Sequence, residues 1–176
     1  MPDLHHELER CLRGRICFMG LGNVDYGDDG FGVRLAEELI ASGVPDVIIA
    51  ARVPDRWIVR AAGFDHIVFL DAVEFGRKPG AVVLLDSAQI AARFPQISTH
   101  KISLGVLAQW AEAGGTTKAW LLGVQPESLR PQPQLTPTVR KTLELLCDLL
   151  TDHVGTAAPG CPAEHKFGGE VAIRAC

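Results

Sequence analysis

The 176-residue sequence has no apolar run long enough to cross a bilayer, which takes about 20 consecutive apolar residues, so no membrane association is expected. It has no excess of basic residues: 17 Lys and Arg stand against 21 Asp and Glu, a formal net charge of −4, which disfavours a general role on nucleic acid. None of its five cysteines, Cys11, Cys17, Cys147, Cys161 and Cys176, stands in C-x-x-C spacing. Neither a zinc ribbon nor a disulfide framework is therefore expected, and a reducing cytoplasm is the expected location. The phosphate-cradling G-x-x-x-x-G-K-[ST] is missing, as are the G-x-S-x-G serine elbow and the H-E-x-x-H zinc motif. The polar start, Met1 to Arg15, does not read as a signal peptide, and there are no internal repeats.

What is present is an ordinary globular composition, 47% hydrophobic and 22% charged, on a chain of single-domain length that can bury a sizeable core. The chain is organised around Gly20 to Gly32, GLGNVDYGDDGFG. The apolar run Ile16-Cys17-Phe18-Met19 leads in, and Val33, Leu35, Ala36, Leu39 and Ile40 lead out at helical spacing. The pattern is a buried strand, a glycine-rich turn and an amphipathic helix. Asp28 and Asp29 fall just before the helix, where one can cap it and both suit the positive end of its dipole. Two adjacent carboxylates on such a turn also form a natural hard-cation or acid/base site. A dinucleotide fingerprint does not fit, because Gly27 comes five residues after Gly22 and the carboxylates would repel a pyrophosphate. No organic cofactor is expected.

Along the chain, Leu4, Leu8, Cys11 and Leu12 predict a short N-terminal helix. Strands are predicted at about Arg15–Gly20, Val47–Ala51, Ile67–Leu70, Ala81–Leu85 and Ala119–Val124. Helices are predicted from about Asp29 to Ser42, around Trp57–Ala61, over Ser87–Phe94, around Leu104–Ala111, and from Thr136-Pro137 through Leu150, with Thr as N-cap. This alternation predicts an α/β domain with a mostly parallel sheet and helices on both faces. The expected domain spans residues 1–154. The Gly-, Pro- and Ala-rich stretch 155–176, which holds Cys161, His165 and Cys176, reads as a loosely ordered tail rather than a metal site.

In open α/β sheets ligands bind outside the carboxyl ends of the strands, and three candidates fall there. Asp29 follows the first strand. Asp71 ends the most apolar strand, where a carboxylate must be solvated, paired or bound to a cation. His100 lies in the loop after the fourth strand and its short helix. Two carboxylates and an imidazole suit a divalent transition metal, and they equally suit acid/base work on a water. Taken singly, each has a plainer role: a helix cap, a turn former and a surface histidine. Asn23 is expected to bond within its own turn, His66 to be structural at the opposite edge, and Cys17 to be a packing residue.

Three blocks, GLGNVDYGDDGFGVRLAEEL (Gly20–Leu39), DHIVFLDAV (Asp65–Val73) with His100 in STHKISL, and LLGVQPESL followed by LTPTV (Leu121–Val139), resemble the hydrogenase maturation endopeptidases. The resemblance covers roughly Arg15 to Leu150 and implies a three-layer α/β/α sandwich. It implies removal of a C-terminal peptide from a nickel-loaded precursor of the nickel-iron hydrogenase large subunit. The family's metal-contacting positions fall on Asp29, Asp71 and His100, with nickel supplied by the bound substrate. Asp29 and Asp71 are the candidate catalytic carboxylates, and the attacking group is a metal-bound or carboxylate-activated water. Asn23, Asp28 and Arg52 are the candidate substrate contacts. One departure stands out: where the family usually shows Asp-Gly-Gly followed by Thr or Ser, this chain has Ile49-Ala50-Ala51-Arg52. That segment is expected to recognise a substrate feature such as a carboxylate, with Arg52 as the donor. The expected enzyme is a cytoplasmic monomer acting on the large-subunit precursor. The rival readings are a non-cleaving, metal-binding hydrogenase assembly factor and a small-molecule amidohydrolase.

Overall fold

The computed structural model describes residues 4–94 and 103–157. Five strands, β1 (Ile16–Leu21), β2 (Val47–Ala51), β3 (His66–Ala72), β4 (Val82–Asp86) and β5 (Lys118–Val124), form one sheet in the order β2-β1-β3-β5-β4. The first three neighbouring pairs are parallel, and only the edge strand β4 runs antiparallel, against β5. The helices are α1 (Leu4–Cys11), α2 (Phe31–Ala41), α3 (Ser87–Arg93), α4 (Leu104–Glu112) and α5 (Pro137–Ala157).

The central strands read as unbroken apolar runs because both of their faces are covered. Alternate residues go to opposite sides, as a strand's period of two requires. Phe18, Val68, Leu70 and Leu122 pack with Leu8 and Leu12 beside α1, Leu35 and Leu39 of α2, and Val139, Leu143, Leu146 and Leu150 of α5. Cys17, Met19, Ile67, Phe69 and Leu121 pack on the other side with Ala61, Phe64, Ile90 and Leu107. The result is the expected three-layer α/β/α sandwich.

Three elements differ from the sequence reading. The helix expected around Trp57 is two short 3-10 turns, Pro54–Arg56 and Ile58–Ala61, because Pro54 and Gly63 leave too little chain for a packed α-helix. A 3-10 turn, Gly27–Gly30, also precedes α2, so that helix starts at Phe31 rather than at Asp29. Finally, α5 continues past Leu150 to Ala157, three residues into the stretch assigned to the tail. Residues 158–176, with Cys161, His165 and Cys176, lie outside the described residues. Among the described residues no helix is long and apolar enough to cross a membrane.

His66 opens β3 at the sheet's amino edge, and its structural role is visible in its bonds. Nδ1 accepts from the Trp120 indole at 3.0 Å, which leaves Nε2 to donate to the Arg13 carbonyl at 2.9 Å. Both bonds use the neutral ring, and burial lowers the His66 pKa below its ordinary 6.5, outweighing the Arg13 carbonyl and nearby Asp65, which raise it. Its stabilising contribution is therefore complete above the unfolded-state value and is lost as pH falls below it towards the folded-state value. Urea melts between about pH 7.5 and 5.5 should show a smaller fall in midpoint for His66→Gln than for the parent chain. Identical pH dependence in the two would remove this role.

Candidate active site

The site is built at the carboxyl ends of β1 and β3, and glycines decide how close its parts can come. At Gly32, in the first turn of α2, a Cβ would overlap the Leu70 carbonyl oxygen and lie 2.6 Å from that of Leu21. The bare backbone therefore lets α2 rest directly on the ends of the two central strands. That contact draws Asp29, just before the helix, towards Asp71, just after Leu70. Gly22 lies between them at φ +115°: a Cβ there would overlap the Asp29 carbonyl and lie 3.8 Å from Asp71 Oδ1.

Asp29 is half-buried, and its Oδ2 accepts from the backbone N–H of Asn23 at 3.0 Å. It does not cap α2: the N-cap is Gly30, and no side chain bonds the helix start. Asp71 is also half-buried, next to the last residue of β3 and opposite Gly123 of β5, and its Oδ1 accepts from the N–H of Ala72 at 2.9 Å. The Asn23 side chain accepts from the N–H of Asp25 at 3.1 Å, the expected local turn, so Asn23 shapes the loop and steadies Asp29. His100 lies between α3 and α4, outside the described residues.

Asp28 is where the sequence reading needs correction. It is fully buried, and it neither caps the helix nor faces a ligand. Its Oδ2 accepts from the N–H groups of Glu127 and Ser128 at 2.9 and 3.0 Å, and its Oδ1 from the N–H of Thr136 at 2.8 Å. The Thr136 hydroxyl donates to the same carboxylate at 2.9 to 3.1 Å. A charge buried this deeply is tolerated because donors surround it. Backbone bonds reinforce the tie: Gly27 N–H donates to Gln132 and Gln132 N–H to Asp25, at 2.8 and 3.0 Å. Asp28 thus fastens the glycine-rich turn to the segment entering α5, and it is a structural residue rather than a substrate contact. The sequence reading missed Gln125, whose Oε1 accepts from the N–H groups of Phe75 and Arg77 at 2.9 and 3.2 Å. It fixes the loop that follows Asp71, and its place in the LLGVQPESL block was the available signal.

β2 ends beside the pair. A bulge shifts its register so that Gly20 faces Ile49 but Leu21 faces Ala51, and Gly22 N–H donates to the Ala51 carbonyl at 3.1 Å. Ala51 sits at φ +49°, the left-handed region that favours glycine. A conformation that glycine adopts more readily is therefore held here by an alanine. Arg52 follows, exposed. Cys17 is no rival nucleophile: burial, with a smaller contribution from Asp46, pushes its thiol up to about 12.

Fold and site define the class first: an α/β/α domain with two carboxylates at the carboxyl edge of its sheet, a pair whose chemistry suits acid/base work on a water. The comparisons with known proteins then agree. Residues 33–153 match the hydrogenase maturation protease family model, a span that includes Asp71 and begins just after Asp29. The chain is 30% identical over 138 residues to the hydrogenase 2 maturation protease of Escherichia coli K12, covering 74% of this chain and 84% of that one. Among solved structures it is similar to a nickel-iron hydrogenase maturation protease from Thermococcus kodakarensis, with a TM-score of 0.74, 28% identity, and coverage of 86% of this chain and 98% of that chain. It is likewise similar to the hydrogenase maturating endopeptidase HybD of E. coli, with a TM-score of 0.69, 27% identity, and coverage of 81% and 93%. The chain belongs to the hydrogenase maturation protease family, and it is a protease.

Two stability measurements check the geometry. Asp28→Ala leaves several buried donors without an acceptor and should lower unfolding stability by about 3 kcal/mol in urea. Ala51→Gly relieves the left-handed backbone and should raise stability by about 1 kcal/mol.

Proposed function

We propose that the chain removes the C-terminal peptide from a nickel-loaded precursor of a nickel-iron hydrogenase large subunit, working as a cytoplasmic monomer. The observation that carries the reading is the placement of Asp29 and Asp71 on either side of Gly22, with Asp29 not engaged as a helix cap. In this reading nickel is part of the substrate. Asp29, Asp71 and His100 complete its coordination only while the precursor is bound, so cleavage is conditional on metal loading. A water adds its oxygen to the scissile carbonyl carbon, and the amide nitrogen leaves with a proton. One of the two carboxylates accepts the proton of the attacking water. Exposed Tyr26, Val53 and Leu129, on segments that end at this edge, offer apolar surface for an extended peptide. Arg52 offers a forked donor set to a carboxylate of the substrate.

The test is the intact mass of a nickel-loaded large-subunit precursor before and after incubation with the purified chain. The expected result is loss of a C-terminal peptide, at least a hundredfold slower with Asp29→Ala, Asp71→Ala or His100→Ala. Melting of the three variants should shift by no more than about half a kcal/mol of stability, as for open-edge substitutions. An unchanged precursor mass would favour a holding role without cleavage. Full activity in any two variants would remove the metal-contacting trio, and equal cleavage of nickel-free precursor would remove the metal check.

A further inference from the structure

Away from the carboxyl edge, one group of three metal-ligating side chains comes together among the described residues: His5, His6 and Glu9, all on α1. The spacing explains it. On a helix surface, residues three and four apart are neighbours, so Glu9 lies beside both His6 and His5. The candidate ligand atoms all lie within 4.8 Å of one another, and His5 Nδ1 is 3.7 Å from Glu9 Oε1. The imidazole rings of His5 and His6 stand edge to face with centroids 6.3 Å apart. Ligands on one ion lie about 3.3 Å apart, given metal–nitrogen bonds near 2.0–2.1 Å, so modest rotamer changes would close the triangle. The side chains of His5 and Glu9 are 45% and 54% exposed and can make that change without disturbing the core. Meanwhile Leu8 of the same helix is fully buried and holds α1 in place.

The other two described histidines stand apart from this group. His66 bonds Arg13 and Trp120, and the ring of buried His153 bonds the Leu12 carbonyl at 3.0 Å. Two borderline imidazole donors beside one hard carboxylate favour late first-row ions over calcium or magnesium, which take all-oxygen sets. We propose that α1 carries a surface site for a divalent late first-row transition ion, with His5, His6 and Glu9 as protein ligands and water filling the remaining positions.

This site is separate from the Asp29/Asp71 edge. Helix α5 spans the distance between them: Thr136, at its start, bonds Asp28, whereas His153, near its end, bonds the residue after α1. Seventeen helical residues separate those two points by roughly 25 Å, so one ion cannot serve both places. The proposal does not rest on the proteolytic reading.

Calorimetric titration of the full chain with Ni²⁺ alone, in a non-coordinating buffer near neutral pH, tests it. His5→Gln/His6→Gln should lose one bound equivalent per chain or bind it at least tenfold more weakly. Asp29→Ala/Asp71→Ala should retain that equivalent, and Glu9→Gln should weaken it less than the histidine pair does. Paramagnetic Ni²⁺ should broaden the amide resonances of residues 4–11 in the parent chain and leave those beside Asp29 sharp at one equivalent. Unchanged stoichiometry in the histidine double variant, loss of the event in the aspartate variant, broadening centred beside Asp29 rather than on α1, or no binding at all would each overturn the site.

Discussion

The close approach of Gly32 to the carbonyls of Leu21 and Leu70 is the constraint on which the candidate site depends. A helix ordinarily stands off a sheet by the width of its side chains, and only a residue without Cβ lets its first turn touch the strand ends. Because α2 sits that low, the loop before it has to fold tightly. Gly22 at positive φ and the 3-10 turn Gly27–Gly30 are how it does so. Asp29 and Asp71 come to flank Gly22 as a consequence of that backbone contact. Substituting Gly32 would thus disturb the site through the helix rather than through any side chain in it.

The two neighbouring aspartates divide the work by environment. Asp28 turns inwards and exchanges water for three backbone N–H groups and a hydroxyl, which makes it a rivet between distant segments. Asp29 stays at the rim with a single backbone donor on its carboxylate. The same residue type, one position apart, serves architecture in one case and stays half-exposed at the carboxyl edge of the sheet in the other. Charge alone does not distinguish them; the supply of buried donors does.

Much of this was legible before any coordinates. Unbroken apolar runs such as Ile67–Leu70 mark strands covered on both faces, and the glycines of the first block mark the turn at a strand's carboxyl end. Those two signals bring Asp29 and Asp71 to one edge. Asp28 was misread because its partners are contributed by residues about a hundred positions away, and local pattern carries no trace of such pairing. The segment around Trp57 was misread because apolar spacing fits a short helix and a pair of 3-10 turns equally well at that length. The left-handed Ala51 was legible only as a residue type unsuited to positive φ, standing where the resembled family usually has glycine. The sequence did not reveal that this alanine takes up a positive φ.

The Asp28 anchorage also orders events during synthesis. Its acceptors wait for Thr136, 108 residues further along the chain. Closing a loop of that length is entropically slow compared with pairing adjacent elements. A nascent chain emerging from the ribosome can therefore form β1, α2 and β2 long before the glycine-rich turn has anything to hold it. The carboxylate edge takes its final shape only once the segment leading into α5 has been made and folded back. An incomplete chain would thus have most of its sheet while the turn that carries Asp28 and Asp29 still lacked its anchor.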